Sequence, residues 1–337
     1  MKERENRMED SLQHSYSDEL KRPNIPYGAH PIEQGDYLID TIAINDLADS
    51  VLKWINLRNT GAIIYGDPRL GKTNAVKYLS RFFDIKYGDQ WETFIVRTRK
   101  MKNSNENRFF KYLLKDMRHE LYDEGKPDEK RERLINFLLE RGDRSVRNQI
   151  VLFIDDAQRL TSNEYEWLMD IFNELESYGI TLTTILVGQT ELSHRRNVYL
   201  STHKQIVGRF MIQEQRFYGI TEQDELAYLL SSYDNIAQYP VNSGWTYSRY
   251  FFPVGYSYGL RLENDTDVIW QCIHRVRAEV GIKKELEIPM HYMISIINYV
   301  LKKYGANEEN KEWPTENMWR EAIIESGYVN AEVIQNQ

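Results

Sequence analysis

Residues 66–73 read Gly66-Asp67-Pro68-Arg69-Leu70-Gly71-Lys72-Thr73, which is a complete G-x-x-x-x-G-K-T phosphate loop. An apolar run typical of a strand precedes it, and a stretch compatible with a helix follows. In such a loop backbone N–H groups surround a β-phosphate, the lysine reaches the β- and γ-phosphate oxygens, and the threonine hydroxyl binds Mg²⁺. The sequence therefore predicts ATP and Mg²⁺ as cofactors, and it predicts a nucleotide contact by Gly66, Asp67, Pro68, Arg69, Leu70, Gly71, Lys72, Thr73 and Asn74.

The composition indicates a globular protein of one large or two modest domains. The chain has 337 residues, of which 41% are hydrophobic. It has 43 Lys and Arg residues and 51 Asp and Glu residues, so its net charge is negative and nucleic-acid contact requires a local basic patch. A single cysteine, Cys272, fits a reducing compartment. With neither a signal-peptide pattern nor an apolar run of membrane-spanning length, we expect a cytoplasmic protein without a membrane partner.

Strand-like and helix-like segments alternate through the first two thirds of the chain. After the strand before the phosphate loop, further strands are predicted at 93–97, 149–156, 181–187 and 210–217. Helical patterns lie between them, near 109–122, 130–139 and 163–178. This alternation predicts an α/β fold with a doubly wound parallel sheet.

The pattern becomes helical beyond about Gly219. Helices are predicted at 221–230, 267–280, 289–304 and 315–326, with a Tyr- and Gly-rich insertion at 239–259. We therefore predict an extended N-terminal arm at 1–35, an α/β core at 36–218 and a helical domain at 219–337. The insertion's aromatic residues either form an exposed docking surface or are buried in that domain, and Cys272 is expected in a core.

Two acids end the strand predicted at 149–156. In a phosphate-loop ATPase a carboxylate here helps to hold Mg²⁺, and Asp155 is the best candidate for that metal contact. The following acid, Asp156, occupies the position of the glutamate that polarises the attacking water in many such enzymes. Because aspartate is one methylene shorter, we expect slow ATP hydrolysis. The alternative is that both acids merely end a strand in solvent.

Two further side chains complete the predicted catalytic set of Lys72, Asp156, Gln189 and Arg209. Gln189 follows the strand at 181–187, from which its amide can reach the γ-phosphate or the attacking water, although many such residues serve only in turns. Arg209 precedes the last predicted strand and is a candidate arginine finger toward a neighbouring subunit. Arg195, Arg196 and Arg216 compete for that role, and a surface salt bridge is the alternative.

Taken together, these motifs resemble those of the AAA+ ATPases, with the helical domain as the lid. The runs Asp155-Asp156-Ala157-Gln158 and Leu186-Val187-Gly188-Gln189-Thr190-Glu191-Leu192 are similar, more narrowly, to the TnsC/TniB transposition regulators, and more distantly to MuB and ExeA-type ATPases. The resemblance covers residues 35–235. The sequence departs from the family pattern at Asp156, and His291 lies where a lid arginine is expected.

The resemblance implies a DNA-binding ATPase that regulates transposition. Such a protein assembles with itself into a ring or filament on double-stranded DNA, links a target-selector protein to transposase subunits, and disassembles on ATP hydrolysis. It also implies DNA contacts just after the second strand, where four cations can neutralise phosphates without reading bases. A solvated loop is the alternative for this cluster, which comprises Arg97, Arg99, Lys100 and Lys102.

Another function within the same fold is an AAA+ adaptor or remodelling ATPase that acts on a protein partner, similar to a helicase loader or to ExeA. A remodelling motor is expected to carry aromatic residues in the segment after the second strand. That segment is basic in this chain, which favours the DNA-binding function.

Overall fold

The computed structural model describes residues 22–100, 103–305 and 313–335. The chain divides into two compact units, an α/β unit at Ala43–Tyr218 and a helical unit formed by residues 22–42 and 219–335. The first helix, α1 (Pro31–Gln34), belongs to the helical unit. None of the helices in the described ranges is long and apolar enough to cross a membrane.

Five parallel strands form the sheet of the α/β unit, in the order β2-β3-β4-β1-β5. They are β1 (Gly61–Tyr65), β2 (Glu92–Arg97), β3 (Gln149–Asp155), β4 (Thr181–Gly188) and β5 (Gln213–Arg216). This confirms the predicted fold class. The last strand differs from the prediction, because it begins at Gln213 rather than Phe210. Phe210 is fully buried at the end of a helix instead.

Helices flank this sheet in chain order. They are α2 (Ile42–Asn56), α3 (Lys72–Tyr87), α4 (Glu106–Asp116), α5 (Pro127–Arg144), α6 (Ser162–Ser177), α7 (Thr190–Thr202) and α8 (Lys204–Phe210). Local sequence explains several of their starts. Asn105 accepts a hydrogen bond from the Arg108 backbone N–H and begins α4, and Thr161 with Glu164 forms a capping box for α6.

Both faces of the sheet are buried. Along β3, Leu152 and Ile154 pack into one hydrophobic cluster, whereas Val151 and Phe153 pack into the other. Alternate residues of a strand point to opposite faces, so helices must cover each side. This layering brings the carboxyl ends of β1, β3 and β4 together at one edge of the sheet.

Further helices follow the sheet in the helical unit. They are α9 (Gln223–Asn235), α10 (Tyr247–Phe251), α11 (Pro253–Ser257), α12 (Thr266–Glu279), α13 (Met290–Val300), α14 (Glu316–Glu325) and α15 (Tyr328–Gln335). Of the two interpretations of the aromatic insertion, the structure supports burial, since Tyr247, Tyr250 and Phe251 are almost wholly inaccessible. Cys272 is likewise buried in this core, as predicted.

The described part of the N-terminal arm packs within the helical unit. His30 is fully buried, with its ring stacked on Tyr250 at a centroid distance of 4.4 Å. Just beyond the arm, the Tyr37 hydroxyl donates to Asn298 Oδ1 at 2.7 Å. Residues 1–21 of the predicted arm lie outside the described residues.

Candidate nucleotide site and adjacent basic surface

The phosphate loop connects β1 to α3 and has backbone geometry that requires its glycines. Gly71 adopts a φ of 103°, which side chains disfavour. A Cβ on Gly66 would lie 2.3 Å from the carbonyl oxygen of Phe217. Leu70 is buried beneath the loop, whereas Asp67, Pro68 and Arg69 are exposed. The loop is therefore anchored at one point while its backbone remains accessible to a phosphate.

Lys72 begins α3 and folds back toward the loop. Its Nζ donates to the carbonyl oxygens of Gly66 and Asp67, each at 2.7 Å. Burial lowers the pKa of the Lys72 ammonium, and the carboxylates of Asp67 and Asp155 oppose that shift. The ammonium is thus held at the loop, at the N-terminus of a helix, where anions bind favourably.

Thr73 and Asp155 meet at the edge of the sheet. The Thr73 hydroxyl donates to Asp155 Oδ2 at 2.8 Å, and Asp155 Oδ1 accepts the backbone N–H of Asp156 at 2.9 Å. Asp155 is only 7% exposed. A hydroxyl and a carboxylate in contact, beside a phosphate loop, are the oxygen ligands that Mg²⁺ prefers, so these residues fit the predicted metal.

Asp156 is held by several side chains. Its backbone is left-handed, with φ 57° and ψ 32°. Oδ2 pairs with Arg97 Nε at 3.1 Å and with Arg159 Nη1 at 3.4 Å. Oδ1 accepts Gln158 Nε2 at 3.2 Å. The predicted water-polarising acid is therefore oriented by two guanidinium groups and an amide.

Gln189 immediately precedes α7 at the end of β4. The end of β4 pairs with the end of β1, because Gly188 is in register with Tyr65. The neighbouring Thr190 donates its hydroxyl to Asp67 Oδ1 at 2.8 Å. The start of α7 is thereby connected to the phosphate loop. Gln189 therefore lies at the carboxyl edge of the sheet, beside that loop. Thr190 was not among the predicted site residues.

Arg209 lies on α8 at the opposite, amino edge of the sheet. Its carbonyl accepts the hydroxyl of Thr60, the residue before β1, at 2.7 Å. Its guanidinium stacks 4.0 Å above the Phe172 ring and pairs with Glu176 at 3.5 Å. Arg209 therefore does not approach the phosphate loop of its own chain.

The three competing arginines also have partners within the chain. Arg195 donates to the Leu160 carbonyl. Arg196 donates to the Met211 carbonyl at 2.7 Å and pairs with Glu214 at 3.5 Å. Arg216 stacks over Tyr218 at 4.6 Å.

The predicted basic cluster after β2 divides into residues with different roles. Arg97 pairs with Asp156, yet its side chain is 66% exposed. Arg99 forms a two-point contact with Asp116, at 2.7 and 3.0 Å, and stacks on Tyr112 at 4.3 Å. Lys100 is exposed. Lys102 lies outside the described residues. The structure therefore leaves Arg97 and Lys100 more accessible to a phosphate than Arg99.

Helix α4 adds cations that sequence reasoning missed. Arg108, Lys111 and Lys115 share one face of the helix, opposite a buried face that includes Phe110 and Leu114. Lys111 pairs with Asp123, and Lys115 lies 5.7 Å from the Tyr122 ring centroid. Their spacing of three and then four residues in the sequence already indicates that these cations share one helix face. We call these three residues the α4 basic surface.

Comparisons with known proteins identify the domain. The family model of an AAA domain matches residues 58–195. No curated protein matches the chain. The fold is similar to Aeropyrum pernix ORC2 in ADPNP-ADP complexes, with a TM-score of 0.57 and 12% identity over 88% of this chain and 71% of that chain. It is also similar to A. pernix ORC1 in complex with DNA, with a TM-score of 0.50 and 12% identity over 86% of this chain and 64% of that chain.

The chain thus carries an AAA-type phosphate-loop ATPase domain. The prediction of an ATPase is confirmed at the level of that domain. The roles of individual side chains, and the narrower resemblance to transposition regulators, stay predictions.

Proposed function

We propose that this protein is an ATP-dependent, DNA-binding regulator of transposition that assembles with itself on double-stranded DNA. One observation carries the proposal. Arg97 belongs both to the basic region after β2 and, through its 3.1 Å contact with Asp156, to the nucleotide site. A single ion pair thereby links a surface suited to phosphates with the residues that would bind and hydrolyse ATP.

In this proposal the nucleotide is held by the loop 66–74, with Lys72 on its phosphates. Thr73 and Asp155 would hold Mg²⁺, whose charge supports phosphoryl transfer when it is bound. Their 2.8 Å contact supports this assignment. Asp156 would accept a proton from the attacking water, and Gln189 would orient that water or the γ-phosphate.

Assembly would place Arg209 beside the nucleotide of a neighbouring subunit. Its position at the amino edge of the sheet supports a contact between subunits, because Arg209 contacts the residue before β1, whereas its own phosphate loop follows β1. ATP would then act as an assembly ligand, since it contacts both the loop of one chain and the arginine of the next. Oligomer stability would depend on ATP occupancy.

Duplex DNA would contact Arg97, Lys100, Lys102 and the α4 basic surface. The chain as a whole carries a net charge of −8, so this concentration of cations is a local feature. Contacts to phosphates without base readout suit a protein that binds many sequences. The similar ORC1 structure is a complex with DNA, which agrees with nucleic-acid binding by this fold.

The assignment to transposition rests on the resemblance of residues 155–158 and 186–192 to the TnsC/TniB regulators. The partners in this proposal are a target-selector protein and transposase subunits in the cytoplasm. ATP hydrolysis would remove the protein from DNA.

Electron microscopy of the purified protein tests this function. Samples would contain duplex DNA with ATP, with a non-hydrolysable ATP analogue or without nucleotide. We expect rings or filaments on DNA only with nucleotide, and none for Lys72→Ala. Closed oligomers that ignore DNA would instead indicate the adaptor or remodelling ATPase. Transposition assays with and without the purified protein would test the biological role separately.

A further inference from the structure

The side chain of Gln158 bridges two parts of the nucleotide site. Gln158 lies in the 3₁₀ turn Ala157–Arg159 that follows β3. Its Oε1 accepts the backbone N–H of Gln189 at 3.2 Å, and its Nε2 donates to Asp156 Oδ1, also at 3.2 Å. One amide therefore joins the end of β4 to the acid that follows β3.

A carboxamide satisfies both neighbours. The Gln189 N–H requires an acceptor and the Asp156 carboxylate requires a donor, and an amide supplies one of each. A glutamate would place a second carboxylate against Asp156, and a methionine would offer no strong partner to either group. These neighbours also determine which end of the amide is oxygen.

Gly188 provides the space for this bridge. A Cβ at Gly188 would lie 2.7 Å from Gln158 Oε1 and 3.0 Å from Leu192 Cδ2. The last residue of β4 must therefore lack a side chain for the amide to reach the Gln189 backbone.

The two oxygens of Asp156 have different surroundings. Oδ2 faces the guanidinium groups of Arg97 and Arg159. Oδ1 faces the neutral amide of Gln158. The guanidinium groups thus contact Oδ2, and the amide of Gln158 fixes the position of Oδ1. The amide therefore orients the oxygen that would accept a proton in the proposed role of Asp156.

We propose that Gln158 is a positioning residue for ATP hydrolysis. It fixes the position of Asp156 Oδ1 relative to the Gln189 backbone, so that the acid and the end of β4 keep a constant separation. As the water oxygen bonds to the γ-phosphorus and the bond to the β–γ bridging oxygen breaks, Oδ1 takes the water proton. This inference rests on the proposed function, specifically on the role of Asp156.

A double-mutant cycle with Gln158→Met and Asp156→Asn tests the bridge. In single-turnover assays with Mg·ATP, we expect Gln158→Met to lower the hydrolysis rate by about tenfold or more, with ATP affinity within about twofold of the parent. In the Asp156→Asn background it should cause no further loss. Gln90→Met, a half-buried glutamine in the same unit, serves as the matched control and should keep the parental rate.

Parental hydrolysis by Gln158→Met, or an equal loss in both backgrounds, would overturn the inference. If Asp156→Asn itself hydrolyses ATP like the parent, the acid assignment of the proposed function fails, and the inference fails with it. Gln158→Glu provides a second variant should the methionine variant not fold. Its rate should recover relative to the parent as pH falls, since protonation of the introduced carboxyl restores a donor, and a pH-independent ratio would contradict the proposal.

Discussion

At the scale of single residues, the backbone of Asp156 gives a reason for an aspartate where a glutamate was expected. Its φ of 57° lies in the left-handed region. Aspartate and asparagine adopt that region more readily than glutamate does, because their short polar side chains bond locally. The shorter acid thus suits the turn that also presents Gln158 and Arg159.

We expect Asp156→Glu to hydrolyse ATP severalfold faster, because the longer acid reaches further toward the water. The same change should lower the free energy of unfolding by about 1 kcal/mol, through left-handed strain. ATP turnover and urea unfolding measure the two effects. Turnover no faster than that of the parent would argue that the shorter side chain does not limit hydrolysis.

Arg97→Ala removes one cation from Asp156 and one from the basic region. We expect higher ATP turnover without DNA, by about threefold, because the Asp156 carboxylate is released from its ion pair with Arg97 and can turn toward the attacking water. Duplex affinity at fixed salt should fall. Lys100→Ala is the control, since it should weaken DNA binding without changing turnover. A lower turnover for Arg97→Ala would show that the guanidinium assists hydrolysis instead.

At the scale of helices and strands, the α4 basic surface extends the predicted DNA contact. Arg108, Lys111 and Lys115 follow one another at spacings of three and four residues, about one turn each, on a helix whose other face is buried. Their phosphate contacts would add to those of the segment after β2 without adding base readout.

Replacement of these three α4 residues by Glu should weaken ATP-dependent duplex binding and leave nucleotide affinity unchanged. The slope of log affinity against log salt should become less negative by about 3, because each lost phosphate contact removes about 0.9 from its magnitude. Fluorescence anisotropy at several salt concentrations measures both. The same exchange at Lys77, Arg81 and Lys86 on α3 changes the net charge equally and is the control. Equal losses in both variants would point to net charge alone.

Much of the site was predictable because its motifs are contiguous in sequence. The phosphate loop and the acids after β3 follow from local patterns, and the buried strands follow from apolar runs. The pairing of Arg97 with Asp156 was not predictable, because it depends on the register that places Arg97 opposite Asp155. The predicted start of the last strand at Phe210 was wrong for a similar reason. Phe210 packs near Tyr165, at a ring centroid distance of 6.0 Å, and this tertiary contact accompanies a helical backbone.

At the scale of the whole molecule, the buried His30 and the half-buried Asp265 of the helical unit should have opposite effects on stability as the pH falls. Burial lowers the pKa of His30 to about 4, so stability falls as pH drops from 6.5 toward 4. Burial raises the pKa of Asp265 to about 6, although the indole N–H groups of Trp319 and Trp313 oppose this shift. The contribution of Asp265 to the free energy of unfolding therefore increases as pH drops from 6 toward 4.

Asp265→Asn should separate the two effects. Both indoles lie near Asp265 Oδ2, at 2.9 and 3.1 Å, so an amide oxygen can accept from both. At pH 7.5 we expect the variant to be more stable by about 2 kcal/mol, because a buried charge is removed. Below pH 6 this advantage should shrink. Urea unfolding followed by tryptophan fluorescence measures it, and an advantage that is constant with pH would contradict the assignment.

Because Arg209 lies at the amino edge of the sheet, the number of complete nucleotide sites depends on whether the subunits form a filament or a ring. If each nucleotide is completed by the arginine of the next subunit, an open filament of n protomers has n minus one complete sites, whereas a closed ring has n. One terminal protomer would retain its ATP for longest. Turnover per protomer would then rise with filament length, and the two ends would differ chemically, which gives the filament a direction along the duplex.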